Sequence, residues 1–108
     1  MKKFLVLYRS PRSAREQRAG ATPEQAKAGM EMWMAWGQRA AGAIADMGAP
    51  CDAAFTVGGA APAGHIGGYS LLQGESVDAV KKALDGHPHL AMPGNSIEVL
   101  ELLAMPGM

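Results

Sequence analysis

The chain of 108 residues is the size of one domain, with 48% hydrophobic residues to build a core and 19% charged. Ten basic residues cancel ten acidic ones, which argues against a nucleic-acid or membrane-surface protein, where a basic face usually shows in the sum. No apolar run nears the roughly 20 residues that span a bilayer, and the single cysteine, Cys51, excludes an internal disulfide; the expectation is one cytoplasmic domain over 1–108 with no leader.

Lys3-Phe4-Leu5-Val6-Leu7-Tyr8 reads as a strand with apolar residues on both faces, which suits the middle of a sheet. Arg9 to Ala21 is a polar loop with room for one helical turn begun at Ser13. Thr22-Pro23-Glu24-Gln25 then announces a helix, with Thr22 as N-cap, Pro23 at N1 and Gln25 at the capping-box position. Its expected course is to Met47, with Gly48 as the stop and Pro50 just beyond. At about 100° per residue, Met30, Trp33, Met34, Gly37, Ala41 and Ile44 form the stripe expected to face the sheet. Met32, Trp36, Ala43 and Met47 form a second apolar strip, read as a subunit contact or pocket wall.

Cys51 to Val57 is a weaker strand candidate, followed by the Gly-rich turn Gly58 to Gly64. His65 to Gln73 is a better strand, and Gly67-Gly68 within it suggests a bulge. Ser76 caps a second helix whose apolar positions are Val77, Val80 and Leu84, and Gly86 ends it. Ser96 to Leu103 alternates as a last strand. The order β-α-β-β-α-β predicts an α+β, ferredoxin-like domain: an antiparallel sheet with two helices on one face. That leaves the apolar second face of the first strand uncovered, and a second copy packed sheet against sheet would cover it.

Three stretches carry a family likeness: the opening Lys3 to Tyr8, Gly68-Tyr69-Ser70-Leu71-Leu72-Gln73, and His87-Pro88-His89-Leu90 through Ser96-Ile97-Glu98-Val99. Together they resemble the YCII-related (DGPF-domain) family of the dimeric α/β-barrel group. The resemblance implies a homodimer and a small-molecule site between sheet and helices, without a cofactor. The Asp-Gly-Pro-Phe signature is absent, and Ala60-Ala61-Pro62-Ala63-Gly64-His65 stands in its place. The helix from Pro23 also lacks the histidine that some relatives pair with an aspartate, so that dyad does not transfer.

His87-Pro88-His89 is the sharpest chemical feature. On an extended segment, histidines at i and i+2 point the same way, as a proton-transfer pair or as ligands; alternatively one of them caps the end of the second helix. His89 is the preferred catalytic candidate because it leads into Leu90, with His65 behind it. Trp33, Met34, Trp36 and Tyr8 are the candidate ligand wall, with core packing as the competing reading. Arg9, Arg12, Arg15 and Arg18 would make an anion lid or a solvated loop. No metal site is expected, since Cys51 lacks partner spacing, and no phosphate loop or dinucleotide fingerprint is present. Two functions fit these residues: a cofactor-independent enzyme of lyase or isomerase type, or a non-catalytic small-molecule-binding or interaction module. A pocket at that wall filled by its own side chains would sink both small-molecule readings.

Overall fold

The computed structural model describes residues 1–107, so Met108 lies outside it. Strand β1 (Lys2–Ser10) turns Phe4, Val6, Tyr8 and Ser10 inward and Leu5, Leu7 and Arg9 to the opposite face. After it comes a short helix α1 (Ala14–Ala19), closed by a Ser13–Glu16 capping box. Helix α2 (Pro23–Arg39) begins as the sequence predicts, with Thr22 accepting from the Gln25 amide and Pro23 in the first turn. Strands β2 (Ile44–Pro50) and β3 (His65–Gly74), helix α3 (Val77–Leu84) and strand β4 (Ser96–Glu101) follow. Ser76 caps α3 by accepting the Ala79 amide.

The strands form an antiparallel sheet in the order β2-β3-β1-β4. Apart from the added short helix α1, the connectivity is β-α-β-β-α-β, and this is the ferredoxin-like arrangement. It places β1, apolar on both faces from Phe4 to Tyr8, between two neighbours, as that run demands. Residues directly opposite one another in antiparallel strands share a face. The inner face therefore carries Phe4, Val6, Tyr8, Ser70, Leu72, Ile97 and Val99. Helices α2 and α3 cover it through Trp36, Ala40, Val80 and Leu84, which are buried with Phe4, Val6, Tyr8 and Leu72 in one core. The indole N–H of Trp36 donates to the Ala83 carbonyl at 2.9 Å and ties the two helices together.

The radius of gyration is 15.0 Å, against the ~13 Å of a well-rounded chain of this length. The principal extents of 47 × 40 × 20 Å explain the excess: one sheet and one helix layer make a thin slab. On its outer face Leu5, Leu7, Tyr69 and Leu71 are half-buried and Leu100 is exposed, with the Arg9–Glu98 ion pair (3.1 Å) at one end.

Helix α2 stops eight residues before the expected Met47 (47 − 39 = 8). Ala40 leaves helical geometry, a 3-10 turn spans Ala41–Ala43, and Ile44 already lies in β2. Pairing with β3 outweighs the helical preference that Ala40, Ala41, Ala43 and Ala45 give this run, with Gly42 its weak point. The expected strand at Cys51 to Val57 is accordingly displaced onto Ile44–Pro50, and 51–57 carries no regular structure. Gly48 does hold a positive φ of 75°, yet it forms a bulge in β2 and not a helix end. A Cβ there would lie 1.8 Å from the Tyr69 carbonyl oxygen, so only glycine allows this approach.

The inward stripe of α2 is also rotated from the expected one. Trp36 and Ala40 are buried and Trp33 half-buried, whereas Met30 and Met34 are exposed. Trp36, read as part of a second strip, is the core residue. The reason lies in the helix end: Ala41 and Ile44, counted into the expected stripe, are no longer helical.

Candidate functional site

Four rings meet at Tyr8 on the inner face of β1. Tyr8 stacks on His87 (centroids 5.0 Å apart, planes at 27°) and meets Trp33 edge-on at 4.8 Å. His87 in turn lies 4.5 Å from Trp33 and 4.4 Å from Trp36. The Tyr8 hydroxyl donates to Ser70 Oγ at 2.7 Å, because Ser70 spends its own proton on the Met47 carbonyl at 2.8 Å. Burial raises the Tyr8 pKa above its ordinary value, and the Ser70 hydrogen bond only partly offsets that.

His87 is 2% exposed. It is the N-cap of a 3-10 turn at Pro88–Ala91, where its Nδ1 accepts the His89 amide at 3.0 Å. An accepting Nδ1 puts the proton of the neutral ring on Nε2, and that atom has no hydrogen-bond partner among the described residues. The pKa falls to about 4, first through burial and then through the positive charges of His89 and Arg39. His87 is therefore neutral at pH 7.

His89, the preferred catalytic candidate, is half-buried on the same turn, its ring 5.4 Å from Tyr8. Its Nε2 donates to the Arg9 carbonyl at 2.8 Å, and its Nδ1 has Asn95 Nδ2 at 3.4 Å. The two histidines do not project side by side as on an extended segment. The 3-10 turn directs His87 into the core and uses His89 to fasten the turn to β1. Neither side chain binds the last carbonyls of α3.

Of the expected ligand wall, Tyr8, Trp33 and Trp36 come together, but they pack against one another and His87 and fill their own space, which removes the small-molecule site expected at that wall. Met34 is separated from them. It lines an open hollow of about 400 Å³ with Gly37, Gln38, Ala41, Ile44 and Met47. His65 begins β3 opposite Ser10, where its charge acts on Glu16 and not on the ring cluster. Arg9 and Arg15 are paired with Glu98 and Asp52, which takes two of the four arginines out of the expected anion lid. Among the described residues no group of three His, Cys, Asp or Glu side chains is placed to hold a metal ion.

A larger hollow of about 530 Å³ opens on the other side of the ring cluster, between α3 and β4. Phe4, Val80, Leu84, Ile97 and Val99 make its apolar floor, and Leu90 from the 3-10 turn closes one part. Lys81, Asp85 and Glu101 supply its charged lining. It exists because β4 is the edge strand and α3 does not reach across it. Leu90 and Ile97 were read only as strand or loop residues; the clue lay in a short eight-residue α3 facing a four-stranded sheet.

No protein-family profile and no curated protein matches the chain. Among solved structures, it is similar to 5-chloro-2-hydroxyhydroquinone dehydrochlorinase from Burkholderia phenoliruptrix AC1100, in complex with 2,5-dihydroxybenzoquinone. The two are 19% identical over 89% of this chain and 90% of that one, with a TM-score of 0.49. Likeness at that level says nothing of this chain's chemistry.

Proposed function

We propose that the protein is a homodimeric small-molecule-binding module of the YCII-related kind, holding its ligand in the hollow between α3 and β4. The observation that carries this reading is the hollow itself. Its 530 Å³ volume lies within the range of drug-sized ligand sites (roughly 300–1,000 Å³), and its floor is apolar with a few charged groups to orient a guest. Lys81 is the cation of that lining, which suits a compact aromatic acid: ring on Phe4, Leu90 and Ile97, carboxylate toward the ammonium. A thermal-shift panel of small aromatic acids tests it. At least one compound at millimolar concentration should raise Tm by about 2 °C or more, as mass action on the folded state requires. A flat panel would contradict the binding reading.

The dimer rests on the outer sheet face, where Leu5, Leu7, Tyr69, Leu71 and Leu100 form one apolar patch between polar ends. Sheet-on-sheet packing by a two-fold axis would bury that patch against itself. Size-exclusion chromatography with light scattering at micromolar concentration should give twice the chain mass of 11.2 kDa. A clean monomer would remove the dimer from the account.

A second reading, a cofactor-independent lyase or isomerase, is favoured by one feature of His89. The Arg9 carbonyl fixes the proton on Nε2, which leaves Nδ1 as a base covered only by the long 3.4 Å contact with Asn95. Conversion of a bound compound over hours, followed by NMR in the same samples, separates this reading from simple binding.

A further inference from the structure

The Pro88–Ala91 turn joins the two places described above. One side of it holds His87 in the ring cluster, and the other carries Leu90 into the wall of the hollow. Besides the backbone bond from the Leu90 amide to the His87 carbonyl at 3.1 Å, three side-chain contacts keep it closed. His87 Nδ1 accepts the His89 amide at 3.0 Å, His89 Nε2 donates to the Arg9 carbonyl at 2.8 Å, and Asn95 Nδ2 donates to the His89 carbonyl at 3.1 Å. The first needs a lone pair on His87. A proton placed on Nδ1 would set two donors against each other and bury a charge among three aromatic rings.

We propose that the Pro88–Ala91 turn is an acid-released gate on the α3–β4 hollow, latched by neutral His87 and carrying Leu90 as its leaf. Among the described residues, the surroundings of His87 offer a proton no carboxylate, only the weaker attraction of the aromatic rings. Tyr8 faces it from β1, Trp33 and Trp36 from α2 bring no charge, and Arg39 from α2 adds a positive one. Arg39 is itself held toward the end of α3 by the Asp85 carbonyl at 3.1 Å. His89 on the same turn adds a second cation when protonated. The unpartnered Nε2–H means that the closed state already leaves one polar group unsatisfied, which narrows the gap to the open one. Opening frees Leu90, which is already 49% exposed, without disturbing the core residues Val6 and Leu72, which are 0% exposed.

The gate's bearing on ligand entry rests on the proposed binding reading; its opening does not, and is measured without ligand. Histidine tautomers, the His89 amide and the Leu90 methyl groups are followed by NMR from pH 7 downward. At pH 7 His87 should show the Nε2–H neutral form. As His87 titrates, the His89 amide should lose protection about tenfold or more, in step with movement of the Leu90 methyls, while the methyls of Val6 and Leu72 stay native. His87→Asn, whose amide oxygen can replace the Nδ1 acceptor but cannot titrate, should abolish that step. The gate is overturned if His89 and Leu90 stay fixed while His87 titrates, or if they move only together with Val6 and Leu72. Once an aromatic acid that binds is in hand, linkage requires it to lower the His87 midpoint if Leu90 closes over it. An unchanged midpoint beside a working pH step would overturn the gating of the hollow by Leu90 and leave the latch standing.

Discussion

Trp36→Ala is expected to cost the fold about 3–5 kcal/mol, the range for deleting a large aromatic from a packed core. Trp36 is 1% exposed and touches both halves of the inner layer, through its ring contacts with Trp33 and His87 and its hydrogen bond to Ala83. Truncation would open a cavity at the α2–α3 junction and leave the Ala83 carbonyl without its donor. A domain of this size holds roughly 5–15 kcal/mol in all, so the variant should be marginal at 37 °C. Trp36→Phe keeps most of the apolar bulk and forfeits the hydrogen bond, for an expected loss of about 1–3 kcal/mol. Urea unfolding at fixed protein concentration measures both. A loss below about 1 kcal/mol for Trp36→Ala would mean that α2 is not docked by this residue.

Acid should destabilise the protein in a window set by His87. The unfolded chain takes a proton near the ordinary 6.5, whereas the folded one resists until about 4. Between those values the unfolded state binds more protons, so stability falls as pH falls. Above 6.5 both states are neutral at this site and it contributes no slope; below about 4 the loss is complete. At about 1.4 kcal/mol per unit, the full window amounts to about 3 kcal/mol. His87→Asn should unfold at lower urea throughout, having lost ring packing, but with a flatter dependence between pH 6.5 and 4. Equal slopes for the two proteins would show that His87 is not held neutral in the core.

Those two residues also show where the sequence was readable. Periodicity and caps gave the element order, because Thr22, Pro23, Gln25 and Ser76 act through contacts within one helical turn. The end of α2 was hidden, since Gly48 and Pro50 imitate a helix stop while serving an edge strand. That strand is specified by its partner β3, and pairing across the chain leaves little local trace. Trp36 was misplaced by the same error, through a stripe extended past the true helix end. The ring cluster was partly visible: Tyr8, Trp33 and Trp36 were singled out, but as a wall and not as mutual packing. The preference for His89 over His87 rests on its leading into Leu90, yet Leu90 is 49% exposed and it is His87, at 2%, that enters the core. The better signal was His87-Pro88 itself, a residue before proline acting as the N-cap of a short turn. The hollow between α3 and β4 was not visible at all, for it depends on how far a helix reaches across a sheet.

Methyl and indole shift mapping during titration with 4-hydroxybenzoate, a small aromatic acid, tests the central claim most directly. The account predicts saturable shifts centred on Val80, Leu84, Leu90 and Ile97, the apolar lining of the α3–β4 hollow. Shifts centred instead on the indoles of Trp33 and Trp36, with those methyls unmoved, would contradict it.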